Sequence, residues 1–346
     1  IKVWLTTVNG VSGDEELSND TINEYFYICY APLAGRYTIG TNTSDFPTQR
    51  EALLALYSCG VNGNVTFAFE NGTYDAMDLR AVQGASATST ITFTSVSGNA
   101  NDVIFLADSA LNGKSNALNL FGVNDMYFKN VTFDATNRFV AVEMFAKNTN
   151  VEFYGCNIKA NPLGENDKFV GIKYENRQSV PYYLTNVRII KNNISGGYHG
   201  IYFQYPAGSD STAYANSNVT IDSNTIINIG AKAIYMNQNG IYNSISYNNI
   251  VTRSSSNTTA QYGISLSKAT VHNGVVGNKI LLQGGASTTG IYLEEYCSSF
   301  ARKADSTKNG LVANNEIRKI KTQIEDKVKG IEFASNSSNS RADIYH

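Results

Sequence analysis

A fixed spacing of asparagine and apolar residues recurs along this sequence and constrains its fold more than any other feature. In the stretch 218–230, NVTIDSNTIINIG, Asn224 stands two residues before Ile226, and Ile221 stands five residues before Ile226. The spacing returns in NVRIIKNNI, NSISYNNI, NGVVGNKI and GLVANNEI. A constant unit separated by loops of variable length is typical of a repeat protein. The final apolar residues lie 24 to 37 residues apart, at Phe133, Ile158, Ile194, Ile226, Ile250, Ile280 and Ile317.

A second motif lies between successive units: Gly or Ala, an aliphatic residue, any residue, then a large apolar residue. It reads ALNL at 117, AVEM at 141, GIKY at 171, GIYF at 200, AIYM at 233, GISL at 263, GIYL at 290 and GIEF at 330. Alternation puts the aliphatic and large apolar residues on one face and the variable residue on the other. Such short strands bury their apolar face only when stacked, about 4.8 Å apart. The sequence therefore predicts an all-β fold, a right-handed parallel β-helix.

The asparagines of the first motif predict a structural ladder. An asparagine in a turn can adopt the left-handed conformation and bond neighbouring backbone, and stacked amides can bond from coil to coil. Earlier units have Val131 and Cys156 at this position, so we expect the ladder to begin higher in the stack. The role that we predict for it is structural rather than catalytic. Its members are Asn192, Asn224, Asn248, Asn278 and Asn315.

A helix at about 47–58 is predicted to cap the first coil, within the stretch SDFPTQREALLALYSCG. Thr48 and Glu51 have capping-box spacing, Pro47 suits the helix start, and Gly60 suits its end. We assign residues 33–346 to the β-helix. Residues 1–32 read as two strands around an acidic loop, a short β-hairpin segment. Because Ile344 matches the start of another unit, we expect the chain to continue beyond residue 346.

Composition excludes several classes of protein and partner. Apolar residues make up 42% of the chain and charged residues 16%, the net charge is −2, and no Lys/Arg cluster is present, which argues against nucleic acid. No apolar run approaches the ~20 residues of a membrane span, so we predict no direct membrane insertion. The cysteines lack CxxC or Cys/His spacing, which disfavours metal ligation and favours isolated thiols over a disulfide. They are Cys29, Cys59, Cys156 and Cys297.

The cap region resembles a known family. The segments LAGRYTIG, DFPTQREALLALYSCGVNGNVTFAFENGTYD and GASATSTITFTSVSGNANDVIF, from residue 33 to residue 105, are similar to the opening of pectate-lyase-like, right-handed β-helix modules in large secreted and surface proteins of Bacteroidetes. The preceding SGDEELSNDT resembles the end of the immunoglobulin-like domains that stand before such modules. The resemblance implies export, to the cell surface or beyond, within a multidomain adhesin-like protein. It implies no activity, because this fold carries enzymes, adhesins and stalks.

No catalytic constellation emerges from the residues. His199 in GGYHG superficially resembles the Gly-His-Gly of polygalacturonases, but no aspartate pair accompanies it, which favours a turn histidine. Glu175 and Glu294 share an offset four coils apart, roughly 19 Å at the strand spacing, too far for a glycosidase pair. We expect functional specialisation in the long loops at 160–170, 204–217 and 295–309. If the chain is a lyase or hydrolase, the best candidates there are Asp210, Arg302, Lys303 and Asp305.

The outward residues of the second motif predict a binding face. Tyr202 and Tyr235 belong to adjacent coils and Tyr292 lies two coils further, and tyrosine rings suit sugars. The alternative interpretation is that these tyrosines only stabilise the sheet, which is favoured by tyrosine's preference for strands. Glu143 beside Lys173 reads as a surface ion pair. In order the outward residues are Asn119, Glu143, Lys173, Tyr202, Tyr235, Ser265, Tyr292 and Glu332.

The function predicted from the sequence is that of a non-catalytic extracellular module of a surface adhesin or filament-like protein, giving reach and binding glycans, other surface proteins or neighbouring domains of its own polypeptide. The alternatives are a polysaccharide lyase or hydrolase, and a self-assembling module in which IKVWLTTV pairs with an adjacent edge. We predict no cofactor. The acidic loop at 13–20 lacks the alternating acidic spacing of a calcium loop, which favours a solvated hairpin over calcium binding.

Overall fold

Three parallel sheets define the fold, which is the predicted all-β parallel β-helix. The computed structural model describes residues 2–4, 21–23, 28–107, 115–175, 184–204, 218–237, 243–254, 260–267, 272–284, 287–294, 310–320, 327–334 and 342–345. We number these sheets 1, 2 and 3 in the order in which the chain visits them. From β4 (Val61–Phe69) onward, each coil adds one strand to sheet 1, then one to sheet 2, then one to sheet 3. In the described residues no helix has the length and apolar character needed to cross a membrane.

The strands of each sheet follow one another coil by coil, with parallel pairing throughout the three sheets. Sheet 1 contains β3 (Leu33–Ile39), β4 (Val61–Phe69), β7 (Ile91–Ser95), β10 (Asn124–Lys129), β13 (Thr149–Tyr154), β16 (Arg188–Ile190), β19 (Thr220–Asp222), β22 (Asn243–Ser246), β25 (His272–Val276), β28 (Gly310–Ala313) and β31 (Ala342–Tyr345). Sheet 2 contains β5 (Gly72–Asp75), β8 (Val103–Leu106), β11 (Thr132–Asp134), β14 (Asn157–Lys159), β17 (Asn193–Ser195), β20 (Thr225–Ile229), β23 (Asn249–Thr252), β26 (Lys279–Leu282) and β29 (Glu316–Lys319). Sheet 3 contains β6 (Met77–Arg80), β9 (Asn116–Phe121), β12 (Val140–Phe145), β15 (Val170–Glu175), β18 (His199–Gln204), β21 (Lys232–Asn237), β24 (Gln261–Ser267), β27 (Ser287–Glu294) and β30 (Lys327–Ala334).

The two sequence motifs occupy fixed places in each coil. The first runs from the end of a sheet 1 strand, through a turn, into a sheet 2 strand, as from β19 to β20. The second is the sheet 3 strand, as in β21. Near the chain start, β1 (Lys2–Trp4) pairs antiparallel with β2 (Thr21–Asn23), while the acidic loop at 13–20 lies outside the described residues.

The cap helix α1 spans Gln49–Cys59, and a short 3-10 turn at Ala100–Asp102 precedes β8. Thr48 is the N-cap, and its Oγ1 accepts a hydrogen bond from the Glu51 amide at 3.2 Å. The predicted start was two residues early, because Pro47 precedes the cap instead of opening the helix. Gly60 ends the helix with φ 65°, a conformation that glycine adopts without strain.

A disulfide joins Cys29 to Cys59, so the prediction of isolated thiols is wrong for this pair. The end of α1 lies beside the start of β3, where the Leu33 amide donates to the Gly60 carbonyl at 2.9 Å. This tertiary contact pairs the two cysteines, and their sequence spacing carries no sign of it. Cys156 is a buried free thiol, and burial raises its pKa to about 12. Cys297 lies outside the described residues.

The interior is filled by columns of apolar residues in register, and their chemistry changes along the stack. In sheet 1 the earlier coils contribute phenylalanines and the later ones aliphatic residues, all fully buried. Phe93 stacks on Phe128 with ring centroids 5.4 Å apart, and Phe128 stacks on Phe153 at 5.1 Å. The fully buried members of this column are Phe67, Phe93, Phe128, Phe153, Ile189, Ile221, Ile245, Val275 and Val312.

The asparagines at the turn between sheets 1 and 2 form a hydrogen-bonded ladder inside the helix. The Asn224 Oδ1 accepts from the Asn192 amide at 2.9 Å and from its Nδ2 at 3.0 Å, while the Asn192 Nδ2 also donates to the Phe153 carbonyl at 2.9 Å. The pattern repeats upward through Asn248, Asn278 and Asn315.

The left-handed backbone conformation expected for these asparagines is adopted instead by the residue before each of them. Among the described residues, positive φ occurs at the position just before each ladder residue or its replacement, where glycine, asparagine and other residues stand. The left-handed turn leaves the ladder side chain free to point inward and bond the next coil. These turn residues are Asn130, Gly155, Lys191, Ser223, Tyr247, Gly277 and Asn314.

Candidate binding face on sheet 3

The variable residues of the second motif lie in one column on sheet 3, as its alternation predicts. Pairing is in register across all nine strands, so neighbouring members belong to hydrogen-bonded strands. The motif's Ile and large apolar residues face the core, as Ile201 and Phe203 do. The column runs Asp78, Asn119, Glu143, Lys173, Tyr202, Tyr235, Ser265, Tyr292 and Glu332.

Aromatic rings pack against one another in the middle of this column. The rings of Tyr202 and Tyr235 have centroids 5.0 Å apart and an interplanar angle of 33°. The His199 ring, from the start of β18, stacks on Tyr202 at 4.9 Å. Burial raises the pKa of Tyr235 because the phenolate would lose solvation.

Lys232 continues this stack upward. Its Nζ lies 3.7 Å from the ring centroid of Tyr235 and 5.8 Å from that of Tyr262, a cation–π arrangement. The Tyr262 ring meets that of Tyr292 edge to face at 5.5 Å. Burial lowers the pKa of Lys232, against the opposing effects of nearby carboxylates. We call this set the aromatic column: His199, Tyr202, Tyr235, Lys232, Tyr262 and Tyr292.

The packing changes how the predicted sugar-binding tyrosines could act. Tyr202 contacts rings on two neighbours, and Tyr235 contacts both Tyr202 and the Lys232 ammonium. A ligand would therefore meet ring edges and phenolic hydroxyls rather than open ring faces. The Tyr202 hydroxyl already hydrogen-bonds the Gln204 side chain on its own strand.

Below the aromatic column, a network of polar side chains crosses four strands. The Asn116 Nδ2 donates to the Asn119 Oδ1 at 2.8 Å and to the Glu143 Oε2 at 2.7 Å. The Lys173 Nζ lies 3.6 Å from the Glu143 Oε1 and 3.0 Å from the Glu175 Oε2, so one ammonium serves two carboxylates. Asn119 donates to Asp78 at the lower end. The polar network comprises Asp78, Asn116, Asn119, Glu143, Lys173 and Glu175.

His199 belongs to this face and is not a turn histidine. It opens β18, is only 2% exposed, and its Nε2 lies 2.9 Å from the Asp167 Oδ1. Burial lowers the pKa of His199, and its hydrogen bond lowers the pKa of Asp167. A neutral imidazole that donates its Nε2 proton to the carboxylate agrees with both shifts. Sequence reasoning missed Asp167, because its loop carries no motif that points to His199.

The loop that carries Asp167 is held to the coils above. Arg253 donates through Nη2 to the Gly164 carbonyl at 2.8 Å and also bonds the Pro162 carbonyl. The Gly197 amide donates to the Asn161 carbonyl at 2.7 Å. Among the long loops named from the sequence, this is the one within the described residues. Residues 205–217 and 295–309, with the candidates Asp210, Arg302, Lys303 and Asp305, lie outside them.

Glu175 and Glu294 lie too many strands apart to act as a pair of catalytic carboxylates. Glu175 and Glu294 share a column, as expected, with Gln204, Asn237 and Ser267 on the intervening strands. Within the described part of the chain, no group of three His, Cys, Asp or Glu residues is placed to hold a metal ion.

Comparison with known proteins gives likeness of structure at low sequence identity. No protein-family model matches the sequence, and no curated protein matches it. YbhC of Escherichia coli is similar with a TM-score of 0.45 and 11% identity, over 98% of this chain and 91% of that one. A pectin methylesterase from carrot gives 0.45 and 13%, over 90% and 91%. One from Aspergillus niger gives 0.31 and 9%, over 93% and 86%. Likeness at these values does not indicate a function.

Proposed function

We propose that this chain is a non-catalytic extracellular β-helix module that binds a glycan along the outer face of sheet 3. The observation that carries the proposal is the aromatic column, six side chains on one face in which each contacts the next, directly above the polar network. Hydroxyls, amides and carboxylates beside aromatic edges suit a ligand rich in hydroxyl groups. Successive strands repeat these groups about every 4.8 Å, which suits an elongated ligand along the helix axis.

The extracellular part of the proposal is supported by the Cys29–Cys59 disulfide. Disulfides persist in oxidising compartments such as the cell exterior and are rare in the cytosol. A secreted or surface location would give the module access to polysaccharides and to other surface proteins. Within a longer adhesin or filament-like polypeptide, the rigid stack would also hold neighbouring domains apart.

The test is retention of a mixed oligosaccharide library by the purified chain, read by mass spectrometry with and without calcium. We expect intact sugars to be retained, and Tyr202→Ala or Tyr235→Ala to weaken retention about tenfold, as expected when a buried anchor is truncated. The matched control is Tyr127→Ala, a half-buried tyrosine on β10 of sheet 1. It should retain sugars like the unaltered chain.

Three outcomes would overturn the proposal. Shortened or unsaturated sugars would show a hydrolase or lyase. Intact sugars retained equally by all variants would place binding elsewhere. If no sugar is retained and the chain forms concentration-dependent oligomers that vanish on deletion of residues 1–30, the module assembles rather than binds glycans.

A further inference from the structure

The cations on the proposed binding face are already engaged. The sheet 3 strands from β12 to β27 carry two lysines and one histidine. The Lys173 ammonium lies between Glu143 and Glu175, at 3.6 and 3.0 Å. The Lys232 ammonium lies between the rings of Tyr235 and Tyr262. In these described strands, neither lysine is available to a ligand carboxylate or sulfate without losing its present contacts.

Carboxylates outnumber these cations on the same face. On these strands Glu143 and Glu175 flank Lys173, and Glu294 ends β27. Glu294 accepts a hydrogen bond from the Ser267 hydroxyl. With three carboxylates and two ammonium groups, both of them already engaged, the described strands of this face repel a polyanion and attract hydrogen-bond donors.

We infer that the ligand of this face is a neutral or amino-substituted glycan, and that polyuronates and sulfated glycans are excluded. This inference rests on the proposed glycan-binding function and specifies its chemistry. Hydroxyl and ammonium donors of such a glycan can hydrogen-bond the carboxylates of these strands, whereas both lysines are already engaged. A polyuronate would place its carboxylates beside Glu143, Glu175 and Glu294.

The experiment compares three sets of oligosaccharides of equal length by isothermal titration calorimetry: neutral hexose oligomers, glucosamine oligomers and galacturonate oligomers. For the unaltered chain we expect the neutral or glucosamine set to bind at least about tenfold more tightly than the galacturonate set, since several like charges must approach. The double variant Glu143→Gln/Glu175→Gln releases Lys173 from both carboxylates while keeping side-chain size. It should raise galacturonate affinity about two- to fivefold for each charge removed.

The matched control removes two carboxylates elsewhere. Glu152 pairs with Arg188 at 3.1 Å on sheet 1, and Asp134 pairs with Lys159 at 3.5 Å on sheet 2. Glu152→Gln/Asp134→Asn changes net charge equally and should leave galacturonate affinity unchanged. If both double variants gained galacturonate affinity equally, the gain would come from the change in net charge alone, which would contradict the inference.

The failures can be told apart. Tightest binding of galacturonate by the unaltered chain, lost in Tyr202→Ala, would overturn this inference and leave the glycan-binding proposal standing. Binding of no set by a folded chain would overturn both.

Discussion

The lower coils of the β-helix, from β4 to β15, and the upper coils, from β16 to β30, share one backbone plan but are filled differently. The lower interior is built on stacked phenylalanines such as Phe93, Phe128 and Phe153. The upper interior is built on isoleucines and valines, with the asparagine ladder at the turn. Where the ladder is absent below, Val131 and Cys156 occupy its position, both buried.

The outer face of sheet 3 changes over the same region. The lower coils carry the polar network, together with one stacked aromatic pair, Phe121 and Phe145 at 4.8 Å. The upper coils carry the aromatic column. Parallel strands in register place equivalent residues of successive coils next to each other, so similar side chains stabilise the stack both in the core and on the outer face. Repetition of the backbone plan therefore maintains the shape of the coils, while the side chains that fill and cover them differ between the lower and the upper half.

The largest expected effect comes from breaking the lower interior. Phe128→Ala removes a fully buried ring that contacts Phe93, Phe133 and Phe153. We expect a loss of about 4 kcal/mol in the free energy of unfolding, from lost burial and a residual cavity. Ile221→Ala, at the equivalent upper position, should cost about 3 kcal/mol. Urea denaturation followed by circular dichroism measures both, and a larger loss at Ile221 would contradict the stated difference between the halves.

The sequence predicted the coils well because every coil repeats the same constraint. Alternation in GIYF and AIYM determines which residues face the core, and the register of Tyr202 with Tyr235 follows from matching offsets. Both are local patterns that stacking then multiplies.

What the sequence could not predict depends on single long-range contacts. Cys29 meets Cys59 only because α1 folds across the first coil. Asp167 reaches His199 from a loop of irregular conformation, and Lys232 enters the aromatic stack from a second outward column. The left-handed turn residue was misassigned by one position, because asparagine suits both the turn and the ladder. Contacts that occur once leave no periodic signal.

A smaller effect is expected from breaking the upper ladder. Asn224→Cys keeps a weak donor near the Ile189 carbonyl, as Cys156 does near the Phe128 carbonyl at 3.4 Å, but removes the acceptor for the Asn192 amide and Nδ2. The Asn192 backbone amide loses its acceptor and the Asn192 Nδ2 keeps only its bond to the Phe153 carbonyl, so we expect about 2–3 kcal/mol of destabilisation.

The control for this change is Asn193→Cys, at an exposed position of β17. It should stay within about 0.5 kcal/mol of the unaltered chain in the same urea titration. Equal stability of the two variants would show that the ladder contributes nothing beyond filling space.

The smallest effect is expected when the ladder is extended into the lower half by Cys156→Asn. The Cys156 amide already donates to the Asn192 Oδ1 at 2.9 Å, and its thiol already points to the Phe128 carbonyl. An introduced amide could donate to both of these oxygens, as each upper asparagine does, and offer its Oδ1 to the Val131 amide. Because the side chains are similar in size and every polar atom has a partner, the free energy of unfolding should change by less than about 1 kcal/mol. A loss of 2 kcal/mol or more, about the cost of an unpaired buried polar group, would show that the phenylalanine packing of the lower coils excludes the ladder. The asparagine ladder of the upper coils would then be incompatible with the phenylalanine core of the lower coils, and the two could not be exchanged between the halves.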